Sequence, residues 1–422
     1  MSRCEWEAAC HHGSTCALTG MSAFFDSIPG SFTLVNGPLW CYFYAMKYVD
    51  NENPMAQERF ACTQVGPNSL VYGTEADLRA GFDLILKTAH PERLFIASNC
   101  SVSLVGDDVE GIAGEMNLPW PVYAVGGGGL KGSFEGGYSE AFLRIVAEMK
   151  PAKTLPGSVN VLGLSTVHKK GREDAAEIRR LLEMAGISVI SMPGVGSSWA
   201  DIMRAPSAAL NVVVRDELGL AAARQMEREF GISYISAGLP YGTEGTLSWL
   251  RIISETLGAG SLGDVSEEAR KLSSYLLRKG NNLESLWGSL WFDEIFISAP
   301  PSDAIGIAEA VRGEWADTAK MILHLQAASE KITPAADKIR VVLRDDAAMK
   351  EDYENWTGGL VLSSSHETCH LSRLGKRYAA FHIALPSPDE VSFTDLPQCG
   401  LRGAAYLYEN LWNAKLREKT KA

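Results

Sequence analysis

The 422-residue chain has no apolar run approaching the roughly 18 residues that cross a bilayer, so no membrane-spanning helix is expected. The opening residues, Met1-Ser2-Arg3-Cys4-Glu5-Trp6, lack the apolar core of a secretory signal, and the chain reads as cytoplasmic. Basic residues are not in excess: 39 Lys and Arg against 51 Asp and Glu give a net charge of −12, which argues against a nucleic-acid partner. Cysteine is sparse. Eight in so long a chain make no disulfide scaffold, and in a reducing compartment they point to metal or catalysis instead. There is no sequence-level repeat and no low-complexity segment. What is present is ordinary: 46% hydrophobic and 21% charged residues, at a length that predicts two or three domains.

Short apolar runs ended by turn residues alternate with helical periodicity along the chain. Residues 32–35 and 94–97 read as buried strands of a parallel sheet. The pattern repeats with strands at 159–164, 187–191, 209–214 and 232–235, a helix over 173–185 closed by Gly186, and another over 218–230. A polar helix over 265–278 is expected to stop at Lys279-Gly280-Asn281-Asn282. Strands follow at 294–298, 321–325, 339–343, 360–363 and 379–383, then an amphipathic helix over 401–416. The fold class is α/β: three Rossmann-like, doubly wound α/β/α domains at 1–152, 153–285 and 286–422 around a central cleft.

Three cysteines stand out: Cys16 in Gly13-Ser14-Thr15-Cys16-Ala17, Cys41 after Gly37-Pro38-Leu39-Trp40, and Cys100 after Ser98-Asn99. Each reads as lying in a Gly- or Ser-bearing loop near an apolar run, and Cys41 and Cys100 follow strand ends, where ligands of parallel sheets gather. Thiolates so presented suit iron–sulfur ligation, and they are too far apart in sequence for a zinc knuckle. The plain alternative is that they are small buried hydrophobes. Asp107 and Asp108 read as helix N-caps.

The words around these cysteines resemble the component 1 family of nitrogenase and nitrogenase-like reductases. The resemblance is carried by Ile28-Pro29-Gly30, Leu34-Val35-Asn36-Gly37-Pro38 with Cys41, Val71-Tyr72-Gly73-Thr74-Glu75, and Ser98-Asn99-Cys100 running into Leu104-Val105-Gly106-Asp107-Asp108. The glycine-rich stretch from Gly126 to Gly137, then Gly238-Leu239-Pro240-Tyr241-Gly242-Thr243 and Cys399-Gly400-Leu401-Arg402-Gly403-Ala404, continue it over nearly the whole chain. The resemblance implies that Cys16, Cys41 and Cys100 bind an iron–sulfur cluster, [4Fe–4S] or larger, shared at a subunit interface. It implies a homodimer or a heterodimer with a related chain, and an ATP-dependent iron protein as electron donor. The implied activity is low-potential electron transfer to a substrate or metallocofactor; a second metallocofactor or a tetrapyrrole-like ligand is also admitted. The competing class is a non-catalytic scaffold for metallocofactor assembly.

The sequence departs from the family at Arg215, near where the catalytic subunit of true nitrogenases has a cysteine ligand to its large cofactor. A strand-end arginine suits a carboxylate or phosphate partner, or a surface salt bridge. His168, Arg215 and His366 are the expected cleft-lining residues. His366-Glu367-Thr368-Cys369-His370 also spells His-Glu-x-x-His, which makes a zinc hydrolase a remote alternative. Gly126 to Gly129 with Lys131-Gly132-Ser133 hints at a phosphate loop without the full motif, and its amides suit close approach to a cluster sulfur. Cys4, Cys10, His11 and His12 are further ligand candidates in the N-terminal tail; Cys62 is expected not to ligate.

Overall fold

The computed structural model describes residues 15–327, 339–343, 345–387 and 389–420; Cys4, Cys10, His11 and His12 lie outside them. Thirteen strands among these residues form three sheets, and every strand pairing is parallel. The first sheet holds β1 (Ser31–Asn36), β2 (Phe60–Cys62), β3 (Arg93–Ser98) and β4 (Val122–Val125) in the order β2-β1-β3-β4. The second holds β5 (Leu155–Leu162), β6 (Ser188–Ser191), β7 (Ala208–Val213) and β8 (Tyr234–Ser236) in the order β6-β5-β7-β8. The third holds β9 (Trp291–Ala299), β10 (Asp317–Leu325), β11 (Ile339–Leu343), β12 (Leu360–Ser363) and β13 (Ala379–His382) in the order β11-β10-β9-β12-β13.

β1 and β3 are buried at every position, as strands covered by helices on both faces must be. Their register pairs Leu34 with Ile96, while Val161 pairs with Val212 in the second sheet and Ile297 with Leu362 in the third. Each sheet reverses its winding direction between two central strands: β1 and β3, β5 and β7, β9 and β12. Such a reversal leaves a crevice at the strands' carboxyl ends, where ligands bind in open α/β sheets.

The three sheets share their cores. One apolar cluster runs from Val161 and Val212 to Ile295, Ile297 and Leu362, and a second joins Val35 and Phe95 to Leu218 and Met226 of helix Asp216–Phe230. The tightest crossing is between helices Ala17–Asp26 and Phe134–Val146. A methyl group on Gly20 would lie 1.9 Å from the Phe134 carbonyl oxygen, and one on Gly137 would lie 1.8 Å from that of Ala17. The helices therefore touch backbone to backbone, and every residue of Ala17–Asp26 is buried.

One expected stop is absent. Helix Gly263–Trp287 runs through Gly280 to Gly288. Gly280 serves a different purpose: it lets the hydroxyl of Tyr408, on the last helix, Gly400–Thr420, come within 2.3 Å of where a Cβ would stand. That last helix folds back onto helices Gly171–Met184 and Gly263–Trp287. Its start is anchored by Asp174, which accepts hydrogen bonds from the amides of Gln398 (2.7 Å) and Cys399 (3.0 Å).

This packing has two measurable consequences. Gly137→Ala forces overpacking at a backbone contact, so the unfolding midpoint in urea should fall by the equivalent of about 2 kcal/mol; an unchanged midpoint would mean that the crossing is not tight. Burial pushes the Asp174 carboxyl up from 3.8 to about 6. A carboxyl so raised contributes stability that is complete below its unfolded value and lost as pH rises through the folded one. Between about pH 4 and about pH 7.5 the native chain should therefore lose on the order of 2 kcal/mol more stability than Asp174→Asn. Parallel pH profiles for the two proteins would contradict this.

Candidate functional site

Cys41 and Cys100 sit in helix first turns rather than in the loops expected from the sequence, while Cys16 stands in extended backbone just before a helix. Cys16 is the N-cap of helix Ala17–Asp26. A bridge to Ser133 holds it, flanked by hydrogen bonds from the Phe134 amide to the Thr15 carbonyl (2.7 Å) and from the Ala17 amide to the Gly132 carbonyl (3.1 Å). Cys41 is the third residue of helix Leu39–Glu52, which opens after the extended N-cap Pro38. Cys100 opens helix Cys100–Val105, whose N-cap Asn99 accepts from the Val102 amide at 2.9 Å. Pro38 and Asn99 explain the difference, because each turns the chain directly from strand into helix.

First-turn amides have no intrahelical partner and are free to donate hydrogen bonds to a group held beside them. The side-chain amide of Asn99 donates to Cys41 Sγ at 3.5 Å. Burial pushes the Cys41 thiol up, the Asn99 hydrogen bond opposes this, and the neighbouring Cys100 and Cys16 push it further. The glycine-rich stretch closes the site. Gly127 and Gly128 have φ of 113° and 40°, and a methyl on Gly128 would stand 2.5 Å from the Cys100 amide nitrogen. Only glycine fits there, and the Gly127 amide donates to Ser103 Oγ at 2.6 Å.

Cys41 and Cys100 lie at the carboxyl ends of β1 and β3, in the crevice of the first sheet. Among the described residues, no three His, Cys, Asp or Glu side chains close on a single metal ion. A mononuclear zinc site needs its sulfurs about 2.3 Å from one ion. Thiolates of a cluster bind separate irons, so three neighbouring cysteines with a glycine cradle fit a cluster better than a single ion. Cys62 ends β2 near Cys41; its thiol donates to the Gly37 carbonyl at 3.3 Å, and its sulfur accepts from the Gln64 amide at 3.4 Å. Asp108 caps helix Val109–Glu115, as expected, while Asp107 instead accepts from the amide and hydroxyl of Thr74.

The crevices of the second and third sheets meet in a pocket that opens to solvent. His168 and Arg215, which follow β5 and β7, line it together with Asp303, which follows β9. Arg215 is not on the surface: only 1% of it is exposed. Its guanidinium grips Asp303 with two bonds, Nε to Oδ2 at 2.8 Å and Nη2 to Oδ1 at 2.9 Å, and Tyr241 donates to the same carboxylate at 2.6 Å. His168 Nδ1 is shut off from solvent without a partner, and burial, then the charge of Arg215, pushes the imidazole down to about 3. It is neutral at physiological pH. Lys169 lines the same pocket and is paired with Glu390 at 2.6 Å.

His366 follows β12, in the third crevice, but does not line this pocket. Its helix, Ser365–Arg373, is closed by a capping box. Glu367 accepts from the Ser364 amide (3.1 Å), the Ser364 hydroxyl (2.5 Å) and Ser298 (2.8 Å). The carboxylate that a zinc hydrolase would use as its base is thus engaged in fixing a helix end. His370 is buried against the Tyr353 ring, 5.1 Å between centroids, and burial followed by His366 pushes it down to about 4. The zinc-hydrolase alternative has no support in this geometry.

Sequence reasoning missed Asp303, Tyr241 and Lys169. Asp303 stands in a helix first turn after Pro300-Pro301, a pattern shared by any helix start, and its partner is 88 residues away.

Comparison with known proteins gives this geometry a setting. Among curated proteins, the nitrogenase iron-molybdenum cofactor biosynthesis protein NifE of Clostridium pasteurianum is 27% identical over 281 residues, 64% of this chain and 58% of that protein. A light-independent protochlorophyllide reductase subunit of Methylobacterium sp. (strain 4-46) is 25% identical over 331 residues, covering 76% of this chain and 64% of that one. The Acidiphilium rubrum protein of the same name is 24% identical over 376 residues, with shares of 86% and 71%. The chain thus spans 58% to 71% of the length of these relatives. A solved structure titled "Nitrogenase Cp1 at pH 6.5" superposes with a TM-score of 0.77 at 15% identity, over 97% of this chain and 93% of that one, which establishes the likeness of fold. The model of the family described as "Nitrogenase component 1 type Oxidoreductase" matches residues 16–415, from the first of the three cysteines almost to the end, and the chain belongs to that family.

Proposed function

We propose that this chain is a subunit of a nitrogenase-like reductase in which Cys16, Cys41 and Cys100 hold, as thiolates, an iron–sulfur cluster completed by a second component 1 type chain. The observation that carries the reading is that Cys16, Cys41 and Cys100 stand at or within helix starts, near enough for Cys100 and Cys16 to act on the Cys41 thiol, with the glycine turn at Gly127 and Gly128 against Cys100. The bound cluster would supply one-electron storage at low potential. Asn99 would orient Cys41 and soften its charge, the glycine turn would close over Cys100, and a covering chain would limit water access to the exposed Cys16 and half-buried Cys41 and Cys100; these are the levers that tune such a site.

Three thiolates leave the cluster short of ligands, and the surface beside them is apolar. Trp40, next to Cys41, is 67% exposed; Leu104, on the helix of Cys100, is 75% exposed. Val71 and Tyr72, 74% and 87% exposed, end a helix that packs on the helix of Cys100. Phe43 and Tyr44 extend the patch along the helix of Cys41. Exposed apolar groups gathered in this way mark an interface. A second copy or a related chain, bringing its own thiolates, would cover this patch and complete the cluster. The electrons are assigned to an ATP-hydrolysing iron protein.

The similarity to NifE favours a second reading, a scaffold that assembles and releases a metallocofactor. Metal transfer to an acceptor protein without turnover would select it. For the ligand set itself, anaerobically reconstituted protein should contain iron and acid-labile sulfide. Cys100→Ser and Cys41→Ser should each lose most of both, on the order of tenfold, as expected for removal of a metal ligand, while Cys62→Ser keeps them. Iron retained at wild-type level in Cys100→Ser would overturn the assignment.

A further inference from the structure

One side chain reaches across the first crevice from the cysteine of one strand end to that of the other. Asn99 precedes Cys100 after β3, and its amide extends to Cys41, which follows β1. Asn99 is buried, and the two ends of its amide have different tasks. Oδ1 accepts from the Val102 amide at 2.9 Å, which caps the helix of Cys100. A backbone amide can only donate, so that bond fixes which end of the side chain is oxygen. The nitrogen end is thereby committed to the other side, where Nδ2 stands 3.5 Å from Cys41 Sγ. Ser101 Oγ steadies the same amide, 2.8 Å from Nδ2 and 3.2 Å from Oδ1. A cap required by the helix of one cysteine thus aims a donor at the sulfur of another.

Gly37 supplies the space for this arrangement. Its φ lies outside the left-handed region, so the backbone there does not call for glycine. A methyl at this position would lie 2.9 Å from Asn99 Cγ, 3.0 Å from its Cβ and 3.3 Å from Nδ2. The Gly37 backbone is held in place: its amide donates to Thr63 Oγ1 at 3.0 Å, and its carbonyl accepts from the Val65 amide at 3.1 Å and the Cys62 thiol at 3.3 Å. A side chain at position 37 would therefore displace the Asn99 amide rather than the strand end.

Hydrogen bonds to the sulfurs are among the features that set the potential of an iron–sulfur centre. A donor beside a thiolate draws off negative charge, and reduction adds negative charge, so the donor favours the reduced form. We infer that Asn99, seated against Gly37, is a positioning residue that raises the reduction potential of the cluster through its hydrogen bond to Cys41. This deepens the cluster assignment proposed above and rests on it.

The test is a potentiometric titration of the anaerobically reconstituted full chain, read by EPR. Asn99→Ser keeps a capping oxygen but is too short to reach Cys41. Gly37→Ala keeps Asn99 and displaces its amide. Each variant should hold iron and acid-labile sulfide at wild-type content and titrate at a more negative potential. At the wild-type midpoint the ratio of reduced to oxidised cluster should fall by roughly threefold to tenfold, as expected for one hydrogen bond, tenfold being about 59 mV for one electron. Both changes act on the same bond, so the double variant should shift no further than Asn99→Ser alone. An unchanged midpoint in Asn99→Ser at full iron content would overturn the inference and leave the cluster assignment standing. Shifts that add in the double variant would overturn the part given to Gly37. If Asn99→Ser loses its iron, Gly37→Ala decides alone, and a wild-type midpoint there overturns the inference. Wild-type protein that takes up neither iron nor sulfide would overturn both readings.

Discussion

Backbone meeting backbone at glycine is the constraint on which this molecule is built. Gly20 and Gly137 let two helices cross with no side chain between them, and that crossing fixes the bridge from Cys16 to Ser133. Gly128 does the same against Cys100, and Gly37 makes room instead for the Asn99 side chain, whose amide carbon would stand 2.9 Å from an added methyl. Larger residues at Gly20, Gly128 and Gly137 would separate the helix starts that carry the thiols. The glycines thus act on function through packing, by determining how closely three helix ends approach.

The same topology recurs three times and yields two kinds of site. Each sheet reverses its winding at a central strand pair, so each presents a crevice at its carboxyl ends. The first crevice carries Cys41 and Cys100. The second and third face each other and are joined by the Arg215–Asp303 pair, with Tyr241 completing the carboxylate's hydrogen bonds. A buried ion pair is weak evidence of net stability, because desolvation offsets much of the attraction. Its geometric effect is firmer: a bidentate contact between residues that follow β7 and β9 fixes how the second and third sheets meet, and so shapes the pocket.

Much of the fold is legible in the sequence because parallel strands buried on both faces read as plain apolar runs; residues 32–35 and 94–97 are examples. Gly280 reads as a helix stop and is not one, because the cause of that glycine, Tyr408, lies on the last helix and leaves no local mark. The cysteines are legible as a set through family resemblance, but their helical setting is not, since Pro38 and Asn99 start helices without the usual spacer after a strand. His168 and Arg215, expected in the cleft, do line its pocket; His366 does not. Arg215 suggests a carboxylate partner, yet nothing nearby in sequence identifies Asp303, because tertiary ion pairs leave no periodic signal.

The central claim is spatial, so the most direct measurement is an anomalous difference map at the iron absorption edge from anaerobically grown crystals of the reconstituted protein. The account predicts iron bonded to the sulfurs of Cys16, Cys41 and Cys100, beneath the apolar surface around Trp40 and Leu104 and against a second chain. Iron absent from those sulfurs, or found instead beside His168 in the central pocket, would contradict it.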